Sequence, residues 1–184
     1  MHRKLIAAVL LSLAWHSGAW AQNAAAPPAP LDNAPAPRRQ AFGDWTLICA
    51  TAPGASEESC EADVSLQPGD QLPPVAKVAF VRGTTDKPLR LVAIVQANLT
   101  LEPGVVIAFD PGISGVILRF RSCLNTACLA DAELSPDQAQ SFRSLTQNGR
   151  MTIKNAGGET LSLEVPSRGL DQALDALLTA KGKG

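Results

Sequence analysis

Short apolar stretches, each broken by Gly, Pro, Asn or Asp, recur along the middle of the chain. They run Thr46 to Cys49, Cys60 to Leu66, Val75 to Val81, Leu89 to Gln96, Val105 to Phe109, Val116 to Arg121, Cys128 to Leu134, Met151 to Lys154 and Leu161 to Val165. Each is rich in Val, Ile, Leu or Thr, which suit a pleated and half-buried surface, so each predicts a strand. Leu118 and Phe120 alternate with Arg119 and Arg121, and Leu161, Leu163 and Val165 with Ser162 and Glu164. That period of two puts one face in a core and the other in water. Leu91-Val92-Ala93-Ile94-Val95 is apolar throughout and predicts a central strand covered on both faces. Many strands joined by short turns predict a mainly β domain, an antiparallel β-sandwich or partly open barrel of about eight to nine short strands.

Two segments carry helical periodicity instead. Ser135-Pro136-Asp137-Gln138 reads as a capping box with proline at the first helical position. Phe142 and Leu145 follow as apolar positions, and Gly149 marks the expected stop. From about Leu170 to Ala180, residues Leu170, Ala173, Leu174, Leu177 and Leu178 make one apolar stripe. Asp171 near its start and Lys181 near its end suit the helix dipole. These two short helices complete the expected fold, the second closing one side of the core.

The ends of the chain follow different rules. Met1-His2-Arg3-Lys4 is basic and precedes an apolar run from Leu5 to Trp15, too short to span a bilayer core of about 30 Å as a helix. Ala19-Trp20-Ala21 supplies small side chains at the two places a signal peptidase reads, so residues 1–21 are expected to be a secretory signal cut after Ala21. A retained membrane anchor is the alternative, and it too would export the domain. Residues 22–40 are built of Ala and Pro, ending near Arg38 and Arg39, and read as a semi-stiff tether. The folded domain is expected over 41–180, with 181–184 as a tail, and no part of it is expected to span a membrane.

Removing the leader changes the chemistry available. Both histidines, His2 and His16, lie in it, and the chain has no tyrosine. Without Arg3 and Lys4, 14 basic residues face 17 acidic ones, a net charge of −3 with the signs interspersed. Nucleic acid is not an expected partner, because phosphate neutralisation needs clustered Lys and Arg. Four cysteines remain, Cys49, Cys60, Cys123 and Cys128, an even number in a chain sent to an oxidising compartment. Disulfides are expected, with Cys49–Cys60 and Cys123–Cys128 preferred because each closes a short loop; the crossed pairings stay open. The spacing lacks the tight pairs of a zinc site or a redox-active motif, so no metal and no cofactor is expected.

Catalytic patterns are sparse. Without imidazole no Ser-His arrangement exists in the processed chain. Gly112-Ile113-Ser114-Gly115 and Gly157-Gly158 read as turns, not as a nucleophile elbow or a phosphate loop. The acid sets Glu57/Glu58, Glu61/Asp63 and Asp131/Glu133 fall in loops or at alternating strand positions and read as a solvated face. The chain is therefore not expected to be an enzyme. Candidate partner-binding residues are Phe42 and Trp45, which could be exposed aromatic anchors although core packing is the preferred reading, and Asp44, whose first expected role is hydrogen bonding to local backbone. Arg119 and Arg121 join them, pointing the same way from one strand and suited to an acidic group, with an ordinary wet sheet face as an equal alternative.

The order of these features is itself informative: Phe42-Gly43-Asp44-Trp45 leading to Cys49, then Cys60, Leu101 with Pro103-Gly104-Val105, Phe120 before Cys123, Cys128 before Ala130, and Gly169-Leu170 before Ala173-Leu174. Over Phe42 to Leu178 the chain resembles the invasion-associated locus B family of exported proteobacterial proteins. Ala127 and Leu170 depart from the family's usual Gly and Phe, which bears on loop detail. The resemblance implies a periplasmic or surface-exposed protein, associated in pathogenic members with entry into host cells, and it supplies no catalytic residue. The expected function is an exported, disulfide-stabilised binding protein of the envelope or cell surface, with an unidentified protein or envelope component as partner. A periplasmic structural or accessory protein is the alternative.

Overall fold

A computed structural model describes residues 36–69, 71–82, 87–109 and 115–180. The expected leader, residues 22–35 of the expected tether, residues 112–114 of the expected glycine turn and the 181–184 tail lie outside them. The strands are β1 (Arg38–Phe42), β2 (Trp45–Thr51), β3 (Glu58–Leu66), β4 (Ala76–Arg82), β5 (Arg90–Gln96), β6 (Val105–Ala108), β7 (Val116–Leu124), β8 (Ala127–Glu133), β9 (Gly149–Lys154) and β10 (Thr160–Val165). The helices are α1 (Pro136–Arg143) and α2 (Leu170–Thr179). All ten strands join one antiparallel sheet in the order β1-β2-β3-β4-β5-β8-β7-β6-β9-β10.

The fold is mainly β with two helices, as expected, and of the sandwich and the partly open barrel it is the partly open antiparallel barrel, with ten strands among the described residues rather than eight or nine. The additional strand is β1, whose Arg38-Arg39-Gln40 fall within the expected tether. It is an edge strand, exposed at every residue but Phe42, so it carries no apolar alternation to read. Backbone pairing with β2, from Arg38 opposite Cys49 to Phe42 opposite Trp45, is what recruits it.

The first five strands follow one another as a meander; the chain then crosses over to lay down β6 and returns through β7 to β8, which pairs with β5. β9 and β10 extend the sheet beyond β6, and the curl brings β10 back against β3. No helix among the described residues is long and apolar enough to cross a membrane.

Alternation sorts each strand into an inner and an outer side. Trp45, Leu47, Ala62, Val64, Val78, Phe80, Leu91, Ala93, Leu118, Met151 and Leu163 point inward and are buried. An aromatic row crosses this interior, with ring centroids 5.6 Å apart for Trp45 and Phe80, 5.1 Å for Phe80 and Phe142, and 5.2 Å for Phe142 and Phe109. The tilted and edge-on arrangements are those that aromatic quadrupoles favour.

Helix α1 starts at the expected capping box: Ser135 Oγ accepts from the Gln138 amide, and Gln138 Oε1 accepts from the Ser135 amide. It ends at Ser144, well before Gly149, which instead opens β9. Helix α2 buries Leu170, Ala173, Leu174 and Leu177, as the stripe predicted, and packs on β1 to β4. The Arg82 guanidinium donates to the Leu178 carbonyl in its last turn, where carbonyls lack intrahelical partners and a cation suits the dipole.

One expectation about β5 does not hold. Leu91, Ala93 and Val95 are buried, but Val92 is half-buried and Ile94 is 37% exposed, so only the inner face is covered by the described residues. The unbroken apolar run places the strand centrally, and it also places apolar side chains outside.

Candidate functional site

The five candidate binding residues fall into two separate places. Phe42, Asp44 and Trp45 belong to the turn between β1 and β2, which meets the segment leading from β10 into α2. The Trp45 side chain is fully buried, and its indole N–H donates to the Pro166 carbonyl at 2.9 Å. Trp45 is therefore a core residue and not an exposed anchor, and the half-buried Phe42 packs against the same core.

Asp44 departs from its expected local role. Its amide donates to the Arg168 carbonyl at 3.1 Å, and its carboxylate accepts from the Arg168 guanidinium through both oxygens. Those hydrogen bonds hold the Asp44 carboxyl below its usual range, over the opposing effect of burial. The backbones touch as well: a Cβ on Gly43 would lie 2.5 Å from the Arg168 carbonyl oxygen, and one on Gly169 would lie 2.1 Å from that of Phe42. Both glycines have positive φ, +57° and +85°. Phe-Gly-Asp-Trp and the distant Gly169-Leu170 are thus two halves of one interlock that fastens the two ends of the sheet. Beside it lies a polar cleft of about 910 Å³, lined by residues that include Arg39, Asp63, Arg150, Ser162 and Glu164.

Arg119 and Arg121 lie on the opposite side of the sheet's middle, facing outward from β7. Arg119 stands opposite Asp131 of β8, and a bulge at Arg121 then shifts the register so that Ser122 faces Leu129. Asp131 is on the outer side of its strand yet only 5% exposed, so the solvated face expected for the Asp131/Glu133 pair is not found at Asp131. Arg121 Nε donates to one of its oxygens at 2.5 Å and Arg90 to the other at 2.8 Å; Arg90 also holds Glu133 at 2.7 Å. Charge-assisted bonds of this kind are what a buried carboxylate requires. The Arg119 side chain has no ion pair or hydrogen bond among the described residues.

Apolar side chains surround this cluster on the outer face. Across the register lie Ala79 and Val92 in line with Asp131, and Ile94 and Leu129 in the next row. Ile117, two residues from Arg119 on β7, is 51% exposed. At the near end Val75, Lys77, Ile94, Asn125 and Ala127 help line a shallow groove of about 660 Å³. Lys77 is held there by Glu61 and Asp63, each at 2.6 Å. Burial alone would lower the Lys77 pKa, but those two carboxylates raise it overall. The acid set Glu61/Asp63 is thus spent on one lysine.

The disulfides follow the preferred pairing, Cys49 with Cys60 and Cys123 with Cys128, each joining directly opposed residues of a hairpin. Cys49, Cys60 and Glu58 lie close enough together to suggest metal ligands. The two sulfurs are bonded to each other, however, and are not thiolates. The second staple holds a hairpin in which Leu124, the last strand residue before the turn, is 73% exposed.

A profile described as invasion associated locus B (IalB) protein matches residues 45–178. The chain belongs to this family. The match covers the region from Trp45 through α2, nearly the span over which the sequence resembles IalB proteins. No curated protein matches the chain. Among solved structures, the crystal structure of invasion associated protein b from Bartonella henselae is similar, with 18% identity, 77% of this chain and 96% of that chain covered, and a TM-score of 0.64. At that identity the likeness is one of fold, and it carries the curled antiparallel sheet of the IalB domain and no residue roles.

Of the residues that shape these two places, sequence reading missed Arg168, Arg90, Ile117 and Leu124. Arg168 carries no local signal, since its partner is 124 residues away. Asp131 was noticed only as a member of an acid pair. Its short hairpin register with Arg119 and Arg121 was the one available hint.

Proposed function

We propose that this IalB-family chain is an exported binding module of the bacterial envelope or cell surface that acts in contact with host cells, without catalysing a reaction. The observation that carries this reading is the outer face of β5, β8 and β7, where Val92, Ile94, Leu129 and Ile117 turn apolar side chains outward beside Arg119. Outer faces of antiparallel sheets are ordinarily polar, and here Val92, Ile94 and Leu129 lie to one side of the Asp131 ion-pair cluster and Ile117 to the other, apolar side chains turned outward on a rigid scaffold. The acids that might have suggested catalysis, Glu61, Asp63, Asp131 and Glu133, are each ion-paired to Lys77, Arg90 or Arg121. Two disulfides and the leader-like N-terminus support export.

The test has two arms. Intact bacteria treated with protease should lose the protein if it is displayed; protection until the outer membrane is opened would favour a periplasmic accessory role. Fluorescently labelled protein should bind host cells, and an Ile94→Glu variant with unchanged circular dichroism should bind at least several-fold less. Equal binding by the two proteins would remove the outer sheet face as the contact surface.

A further inference from the structure

We propose that Arg119 is the anchor point of this surface and that it takes a carboxylate of a partner protein, an aspartate or glutamate side chain set among apolar neighbours. The inference rests on the binding-module reading and names the chemistry of its occupant.

It begins with Asp131. This carboxylate is nearly buried, and each oxygen is occupied, one by Arg121 at 2.5 Å and the other by Arg90 at 2.8 Å. Arg119 is the residue directly opposite Asp131 in the ladder, so by register alone it is the natural partner. The bulge that projects Arg121 places that guanidinium on Asp131 instead. Arg119 is left exposed with its donors unused among the described residues. The cluster of Arg90, Arg119 and Arg121 against Asp131 and Glu133 keeps one positive charge in excess, and that charge sits at Arg119.

The surroundings specify what completes it. Arg119 stands on the rigid ladder of β7 and β8, with Val92 beyond Asp131 and Ile117 on its own strand. An exposed arginine with an apolar neighbour such as Ile117 is a common interface anchor, because excluding water strengthens a bidentate guanidinium–carboxylate pair. An anionic lipid surface fits less well. Glu133, whose side chain is 60% exposed, and the Glu61/Asp63 pair face outward on the same side and would meet the same array of phosphates. A single carboxylate on a protein needs only Arg119, since the neighbouring Asp131 and Glu133 are already paired with Arg90 and Arg121.

Isotope-labelled protein with both disulfides formed is titrated with a capped Leu-Glu-Leu peptide, with Leu-Gln-Leu as the uncharged counterpart, and the methyl resonances of Val92 and Ile117 are followed by NMR. The expected result is a saturable shift with the glutamate peptide, at least tenfold weaker with the glutamine peptide and at least tenfold weaker in Arg119→Gln. Arg119→Lys should retain part of the response, since it keeps the charge but not the bidentate geometry. Equal response to both peptides, or an undiminished response in Arg119→Gln, overturns the proposal. So does phosphatidylglycerol vesicle binding that Arg119→Gln abolishes, which would assign the site to lipid. Host-cell binding that is unaffected by Arg119→Gln removes this site and leaves the exported binding module standing. Absent cell binding by the unmodified protein removes the host-contact reading itself.

Discussion

The guanidinium of Arg168 grips both carboxylate oxygens of Asp44, a residue 124 positions earlier in the chain. Around this pair the Asp44 amide meets the Arg168 carbonyl and the Trp45 indole meets the Pro166 carbonyl. Together they fasten the β1–β2 turn to the segment that follows β10, where a ladder of strand hydrogen bonds no longer connects the sheet's two ends. The Phe-Gly-Asp-Trp segment that opens the domain is the clasp of a barrel.

The Asp44 carboxyl has a lowered pKa in the folded protein. A lowered acid contributes stability that is fully present above its unfolded value, about 3.9, and is lost as pH falls through the folded value. Urea unfolding midpoints of the native protein should therefore decline from pH 4 downward more steeply than those of Asp44→Asn. Parallel acid limbs for the two proteins would show that the clasp contributes nothing through this ionisation.

Gly169 is constrained twice, by a φ of +85° and by the Phe42 carbonyl oxygen 2.1 Å from where a Cβ would sit. Gly158 has a similar φ, +83°, with open space around it. Gly169→Ala should cost about 3 kcal/mol or more, through clash and strain together. Gly158→Ala should cost only about 1–2 kcal/mol, the penalty of the left-handed conformation alone. Denaturant titration of both variants separates the two contributions, and equal losses would mean that the close approach is relieved by a small backbone shift.

Replacing Trp45 by Phe removes the donor to Pro166 and leaves a small void in a site that is fully buried. A loss of about 2 kcal/mol is expected from the unpaired carbonyl and the lost packing. Trp15 and Trp20 lie in the expected leader, so in a processed chain the blue-shifted emission of Trp45 would report the core directly. Its red shift and the circular dichroism change should coincide on unfolding.

The two staples should differ in their response to reductant. Cys49 and Cys60 are 2% and 7% exposed, whereas Cys123 is on the exposed side of a projecting hairpin. Thiolate attack needs access to a sulfur, so mild dithiothreitol followed by alkylation and mass spectrometry should find Cys123 and Cys128 modified first. The far-UV spectrum should be retained at that stage. Replacing Cys49 and Cys60 by Ser should cost about 2–3 kcal/mol, by the loop-closure argument. Simultaneous reduction of both pairs would show that the buried staple opens through a local fluctuation.

Much of the fold was legible because its causes are local. Period-two alternation at Leu118–Arg121 and Leu161–Val165 chose the buried faces, and the capping box at Ser135 and the stripe from Leu170 to Leu177 fixed the helices. The disulfide pairing was legible for the same reason, since each bond crosses one hairpin. Strand β1 was not, because an exposed edge strand is held by backbone bonds that any side chains permit. The outward side of β5 was misread because an apolar run shows that a strand is central and does not show what lies against its second face.

The sequence by itself determined the alternation that turns residues inward along most strands and where the helices begin, and it favoured the cysteine pairing that is found. Each of these depends on neighbours within about a dozen positions. Tertiary structure alone decided that β8 pairs with β5, that Arg168 reaches Asp44, and that Asp131 takes Arg90 and Arg121 while Arg119 is left outward. Those outcomes follow from strand order and register, which bring distant segments together through hydrogen bonds common to every residue, so no residue type announces them in advance.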